Sequence, residues 1–119
     1  MCGRMTQTTD PAEVARIFDA ESAIEVDADE AKPRYNVAPT QPLTVVLQRA
    51  EQGRLVEQHR WGLVPSFATS LKDGAKRINA RAETVATSPS FRSSFRKRRC
   101  IVPSDGFYEW RRTGGPKQP

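Results

Sequence analysis

Cys2 is the second residue of the chain, directly behind Met1. Methionine aminopeptidases remove the first residue when the second is small, and cysteine qualifies. The new terminus then holds an α-amine and a thiol on one residue. A chain-terminal amine titrates at about 7.7–8.0, so a useful fraction is unprotonated near neutral pH. Such a 1,2-aminothiol has a distinctive reaction with aldehydes. The amine condenses to an imine, the thiol adds to the imine carbon, and a five-membered thiazolidine closes. Two other readings of this position stay open. An N-terminal cysteine also serves hydrolases and amidotransferases acting on amides, which need an oxyanion hole that the sequence does not show clearly. A free cysteine is also often a small, buried, inert residue.

Other side chains are candidates to assist. Gly3 and Arg4 follow directly. Glycine lets a backbone or ligand approach closely, and Arg4 can clamp a phosphate in bidentate fashion. Glu109 lies in Gly106-Phe107-Tyr108-Glu109-Trp110. Aromatic neighbours that desolvate it would suit it to general acid/base work, whereas an alternating strand would simply turn it outward. In Arg77-Ile78-Asn79-Ala80-Arg81-Ala82-Glu83, an extended chain puts Arg77, Asn79, Arg81 and Glu83 on one face. That face fits a sugar and its phosphates, and equally a solvated strand surface. Arg92, Arg96 and Arg99 form a helical stripe that could follow a phosphate backbone with salt-dependent affinity, or face water. Phe91 and Phe95 would pack inward. Trp61, Phe67 and Trp110 are candidate stacking residues for unpaired bases. Trp110 better suits a core, and Phe67, in a Pro-Ser-Phe loop, better suits a wedge. His59, the single histidine, is a conceivable partner for Cys2, though a polar position on a half-buried strand explains it more simply.

The elements that must position these residues are mostly strands. Asp10 can cap a helix, with Pro11 at its first position and Glu13 completing a capping box; Val14, Ile17 and Phe18 then face the core. The acidic stretch 20–32 reads as a loop, and 35–42, with two prolines, as extended or turning. Strands are expected over 43–47 and 55–63, joined by a turn at Glu51-Gln52-Gly53-Arg54. A loop follows over 65–74, then a short strand or turn over 78–84, and a helix over 90–98. Strands over 100–102 and 107–111 precede a turn at Thr113-Gly114-Gly115.

The chain has 119 residues, enough for one domain, but only 37% are hydrophobic, so a core completed by further chain is expected. Its net charge of +5 favours an anionic partner, nucleic acid first, although a soluble basic protein also fits. Two cysteines, Cys2 and Cys100, make no disulfide framework, and no CxxC or Cys/His cluster points to a metal. Neither a signal peptide nor a run of about 18 apolar residues is found. We therefore expect a cytoplasmic, monomeric protein with free thiols and without metal or cofactor.

Six segments, in order, resemble the SRAP (SOS-response-associated peptidase) family. They are Met1-Cys2-Gly3-Arg4, Arg34-Tyr35-Asn36-Val37-Ala38-Pro39-Thr40, Trp61-Gly62-Leu63-Val64-Pro65, Ile78-Asn79-Ala80-Arg81-Ala82-Glu83-Thr84, Arg99-Cys100-Ile101-Val102-Pro103 and Gly106-Phe107-Tyr108-Glu109-Trp110. The resemblance implies an α+β fold, mostly antiparallel β, with a barrel-like core, a few short helices and a positively charged DNA channel. It implies binding of single-stranded DNA and covalent capture of abasic sites, whose open deoxyribose carries the C1′ aldehyde that an aminothiol traps. By resemblance Cys2 forms the cross-link, Asn79 orients the sugar or the Cys2 end, Glu109 moves protons, and Arg4, Arg77 and Arg81 hold phosphates. The family is also linked to self-processing that exposes Cys2. Two departures stand out. The family's histidine in its C-terminal half has no counterpart here, so residues 1–119 are expected to be a C-terminally truncated domain that binds DNA yet cross-links weakly. Phe67-Ala68 stands where some relatives carry tryptophans, a smaller wedge. A non-catalytic binder of modified or single-stranded DNA remains an alternative; its binding would survive Cys2→Ala.

Overall fold

The computed structural model describes residues 2–23 and 32–111. Met1, much of the 20–32 loop and the Thr113-Gly114-Gly115 turn lie outside them. The strands are β1 (Met5–Gln7), β2 (Glu21–Ser22), β3 (Arg34–Val37), β4 (Pro42–Arg49), β5 (Gly53–Arg60), β6 (Cys100–Ile101) and β7 (Gly106–Phe107). The helices are α1 (Pro11–Phe18) and α2 (Arg92–Lys97), with a 3-10 helix at Leu71–Lys76 inside the expected 65–74 loop.

The β4–β5 hairpin is the longest paired unit, running from Pro42 opposite Arg60 to Arg49 opposite Gly53. Gly53 turns the chain at φ 75°, a left-handed conformation that costs glycine nothing. Side chains on β4 alternate in direction. Leu43, Val45 and Leu47 join Val37 and Trp61 in one core cluster, while Val46 joins Val56 and the α1 residues Val14 and Ala15 in another. With both of its faces covered, β4 carries apolar residues on each of them over 43–47, broken only by Thr44.

Helix α1 begins as expected, with the Asp10 carboxylate accepting the Ala12 N–H at 2.7 Å. Glu13 turns instead to Arg16, making two hydrogen bonds at 2.6 and 2.7 Å. Ile17 does not face the core: it is 59% exposed, because the helix seats on the hairpin through Val14 and Ala15.

The strands form two sheets, β3-β1-β7 and β2-β5-β4-β6. The fold is α+β and mostly antiparallel; the exception is β2, which pairs parallel with β5 inside a stretch expected to be loop. Among the described residues no ladder joins the sheets, so there is no closed barrel. The buried Gln7 side chain bridges them instead. Its Nε2 donates to the Thr44 carbonyl at 2.9 Å and the Pro103 carbonyl at 2.8 Å, and its Oε1 accepts the Thr44 N–H at 3.0 Å. One carboxamide thus occupies the edge of β4 where a neighbouring strand would otherwise pair.

A second clasp secures β1. The Asp105 carboxylate accepts the Thr9 hydroxyl at 2.6 Å and the Thr8 and Thr9 N–H groups at 2.6 and 3.2 Å. These bonds, the Thr9 hydroxyl first, lower its pKa to about 2. Because the folded value lies below the unfolded one, this stabilisation is complete above about pH 4 and is lost as pH falls toward 2. Wild type and Asp105→Asn should therefore differ in melting temperature at pH 6 and converge by pH 2; a gap independent of pH would contradict the clasp.

Candidate active site

Cys2 is half-buried against the cluster of Val37, Leu43, Val45 and Trp61. Its carbonyl accepts the Asn79 side-chain N–H at 2.8 Å, and its thiol lies 3.5 Å from the Arg4 carbonyl. Residues 77 apart in sequence are thus brought together at the chain's start.

The delivery of Asn79 has a visible cause. The Trp61 indole N–H donates to the Ile78 carbonyl at 2.9 Å, and the Leu63 N–H donates to the Arg77 carbonyl at 3.1 Å. Ile78 packs on the same cluster as Cys2. Behind them Gly62 and Gly74 come so close that a side chain on either would collide with the other's backbone. Trp61 is only 7% exposed. Buried and hydrogen-bonded, it offers little face for a base to stack on, and it ties down Ile78, the neighbour of Asn79.

On the other side of Cys2, β1 lies between β3 and β7. Met5 is opposite both Val37 and Phe107. The Tyr108 N–H donates to the Arg4 carbonyl at 3.0 Å, and the Tyr108 hydroxyl donates to the Tyr35 carbonyl at 2.8 Å, tying β7 to β3. Arg4 Nη1 donates to Asn36 Oδ1 at 2.7 Å. Glu109 follows Tyr108, in the direction of Gly3 and Cys2 that an antiparallel strand requires. It is exposed, as are Phe107, Tyr108 and Trp110. The aromatic run does not bury it, so the desolvation expected from its neighbours lacks a cause, and Trp110 is not a core residue.

The arginines expected on one face are separated. Arg77 is half-buried and turned inward, donating to Ser90 Oγ at 3.0 Å and to the Asp73 carbonyl at 2.8 Å. Arg81 is exposed at the start of a run of turns, its carbonyl accepting from the N–H groups of Thr84 and Val85. These turns replace the extended segment, so Arg77, Asn79, Arg81 and Glu83 share no strand face. Phe67 is 61% exposed on a turn closed by the Ala68 N–H on the Pro65 carbonyl, a position open to a ligand. Helix α2 is shorter than expected, ending before Arg99, which sits instead 5.9 Å from the Phe95 ring. Phe95 is exposed rather than packed inward.

His59 is not with Cys2. Its Nε2 is 2.8 Å from Glu57 Oε2, and the hydrogen bonds of His59 and Arg49 hold the Glu57 carboxyl below its usual range. Cavities of about 490 and 600 Å³ flank Cys100, whose thiol burial pushes up in pKa, and Cys2 lines neither. Among the described residues no acidic, histidine and cysteine side chains gather as a metal site.

Asn36 and Tyr108 emerge only from the geometry. An alternating reading of β3, with Val37 inside, would have pointed to Asn36.

The family model described as "SOS response associated peptidase (SRAP)" matches residues 1–119. The chain is 41% identical over 112 residues to the Bacillus subtilis abasic site processing protein YoqW, covering 94% of this chain and 49% of that protein. It is 36% identical to Escherichia coli abasic site processing protein YedK, across all of this chain and 52% of the relative. A crystal structure of a Bacteroides thetaiotaomicron protein superposes with a TM-score of 0.81 at 29% identity, over 98% of this chain and 51% of that one. The chain thus spans about half the length of the relatives it matches.

Proposed function

The chain belongs to the SOS response associated peptidase (SRAP) family, and from that premise we propose that it captures abasic sites in single-stranded DNA covalently through Cys2. The observation that carries this reading is the placement of Cys2. Its carbonyl is held by Asn79, and the exposed Arg4 stands two residues away. The relatives' names, abasic site processing proteins, support the same substrate.

The chemistry follows from a free aminothiol. Once Met1 is removed, the Cys2 amine attacks the C1′ aldehyde of the open deoxyribose and one water leaves, giving an imine. The thiol sulfur then bonds to C1′, its proton passes to the nitrogen, and the thiazolidine closes. No oxidant or metal is consumed. Asn79 fixes the Cys2 carbonyl so that the amine and thiol approach one carbon together. Glu109, exposed and near this end of β1, is the group we assign to proton transfer during ring opening and imine formation. Arg4 and Arg81 hold phosphates, Phe67 stacks at a bend in the strand, and Arg77 anchors the loop that presents Asn79. The peptidase activity in the family's name fits self-removal of Met1, with Cys2 as the nucleophile.

The test is a denaturing gel of the chain mixed with single-stranded DNA carrying one abasic site. A retarded, heat-resistant band should form with wild type and disappear with Cys2→Ala or with intact DNA. Binding unchanged in Cys2→Ala, with no covalent band from Met1-processed wild type, would favour the non-catalytic binder.

A further inference from the structure

We infer that Asn36 is a positioning residue: its neutral carboxamide aims Arg4 at the phosphate beside the captured sugar while leaving the full charge of Arg4 available. The inference rests on the abasic-site reading above and adds a residue to it.

Asn36 is placed by its strand. Val37 is fully buried, so the preceding Asn36 turns to the opposite, solvent-facing side of β3. The pairing of Met5 with Val37 brings Arg4 to that same face, where the 2.7 Å bond forms. The strand itself is tied in place by the Tyr108 hydroxyl on the Tyr35 carbonyl. Asn36 is therefore held on both sides in sequence, by a buried valine and by a clamped carbonyl.

The nature of the acceptor matters as much as its position. A guanidinium has five N–H donors, and Asn36 takes one of them. The others remain for a phosphate in bidentate geometry. Arg34, Arg54 and Arg98 are likewise held by neutral acceptors, whereas two other surface arginines are held by carboxylates: Arg16 by Glu13, and Arg49 by Glu57. Such pairs neutralise the charge that an anion would seek. At Arg4 the partner is uncharged, so orientation is gained without neutralisation. A carboxylate of nearly the same shape at position 36 would give the orientation but cancel the attraction.

The experiment measures binding of the chain to a fluorescent single-stranded oligonucleotide with one tetrahydrofuran abasic analogue, which cannot react with Cys2. Wild type, Asn36→Ala, Asn36→Asp, Arg4→Ala and the Arg4→Ala/Asn36→Ala double variant are titrated at several salt concentrations. Asn36→Ala should weaken binding about 3- to 10-fold, the scale of one lost hydrogen bond. Asn36→Asp should weaken it more, and should flatten the salt dependence toward that of Arg4→Ala, whose slope falls by about 1. In the Arg4→Ala background, Asn36→Ala should cost nothing further. Equal losses in both backgrounds would mean that Asn36 acts through the fold, and would overturn the inference. So would wild-type affinity in Asn36→Asp. Failure of wild type to bind the oligonucleotide at all would overturn the abasic-site reading itself, an outcome distinct from either.

Discussion

Cys2→Ser is expected to lose the heat-stable adduct with abasic DNA while keeping one that borohydride can trap. The substitution leaves the α-amine in place and replaces only the second nucleophile. The amine still condenses with the C1′ aldehyde, and reduction of that imine gives a permanent secondary amine. What fails is the second bond. A hydroxyl is a far weaker nucleophile than a thiol, whose anion is accessible near neutral pH. Without ring closure the imine hydrolyses on denaturation. We expect the untrapped adduct to fall by about 100-fold, or about 2.7 kcal/mol, and the borohydride-trapped adduct to fall by much less. The measurement is the fraction of labelled DNA retarded on a denaturing gel, with and without reductant. Equal loss in both lanes would mean that the amine is not the first nucleophile, and would remove the aminothiol mechanism. Undiminished untrapped adduct would show that the thiol plays no part.

What could be read from the sequence follows from how locally each feature is determined. The β4–β5 hairpin and the start of α1 rest on neighbouring residues: an apolar run, a glycine turn, and Asp10 before Pro11. Those signals survive in the structure because nothing distant competes with them. The features that were not legible are settled by contacts far apart in the chain. The Glu21–Ser22 strand has no strand pattern of its own and exists because β5 offers it an edge. Residues 78–84 carry a plausible alternation beside the turn reading, and local hydrogen bonds from Thr84 and Val85 back to Arg81 decide for the turn.

The site divides in the same way. Cys2 is a candidate by its position and chemistry, singled out from its alternatives only by the family resemblance, and Asn79 is a candidate by its motif. Their contact cannot be read there, because it depends on Trp61 bonding to Ile78 and on the passage of Gly62 over Gly74. Trp61 and Arg77 illustrate the limit from the other side. An aromatic ring and a cation suit DNA by type, but burial of one and the inward hydrogen bonds of the other commit both to holding the loop. Residue type states what a side chain can do; only its partners state whether it is still available to do it.

The loop's dependence on one close approach makes Gly62→Ala the most damaging single-methyl change we foresee. Gly62 sits at φ 125°, a conformation that L side chains rarely adopt, and a Cβ there would lie 2.4 Å from the Gly74 carbonyl oxygen and 2.9 Å from its carbon. The obstruction is backbone, so no side chain can swing aside. Backbone strain of about 1–3 kcal/mol adds to an overpacking cost of about 1–3 kcal/mol. Together they take a large part of a total stability of about 5–15 kcal/mol. Gly74→Ala should cost less: it meets the Gly62 oxygen at 2.8 Å, but without a positive φ. Gly53→Ala should cost least of the three, since its φ of 75° is strained but nothing lies within 4 Å. Thermal melting of the three variants should rank them in that order. The functional consequence should follow the same order, because the loop that would shift carries Ile78 and Asn79 to Cys2. Below its melting temperature, Gly62→Ala should still cross-link abasic DNA more slowly than Gly53→Ala. If Gly62→Ala melts with Gly53→Ala, the Gly62–Gly74 approach does not hold the loop, and the placement of Asn79 needs another cause.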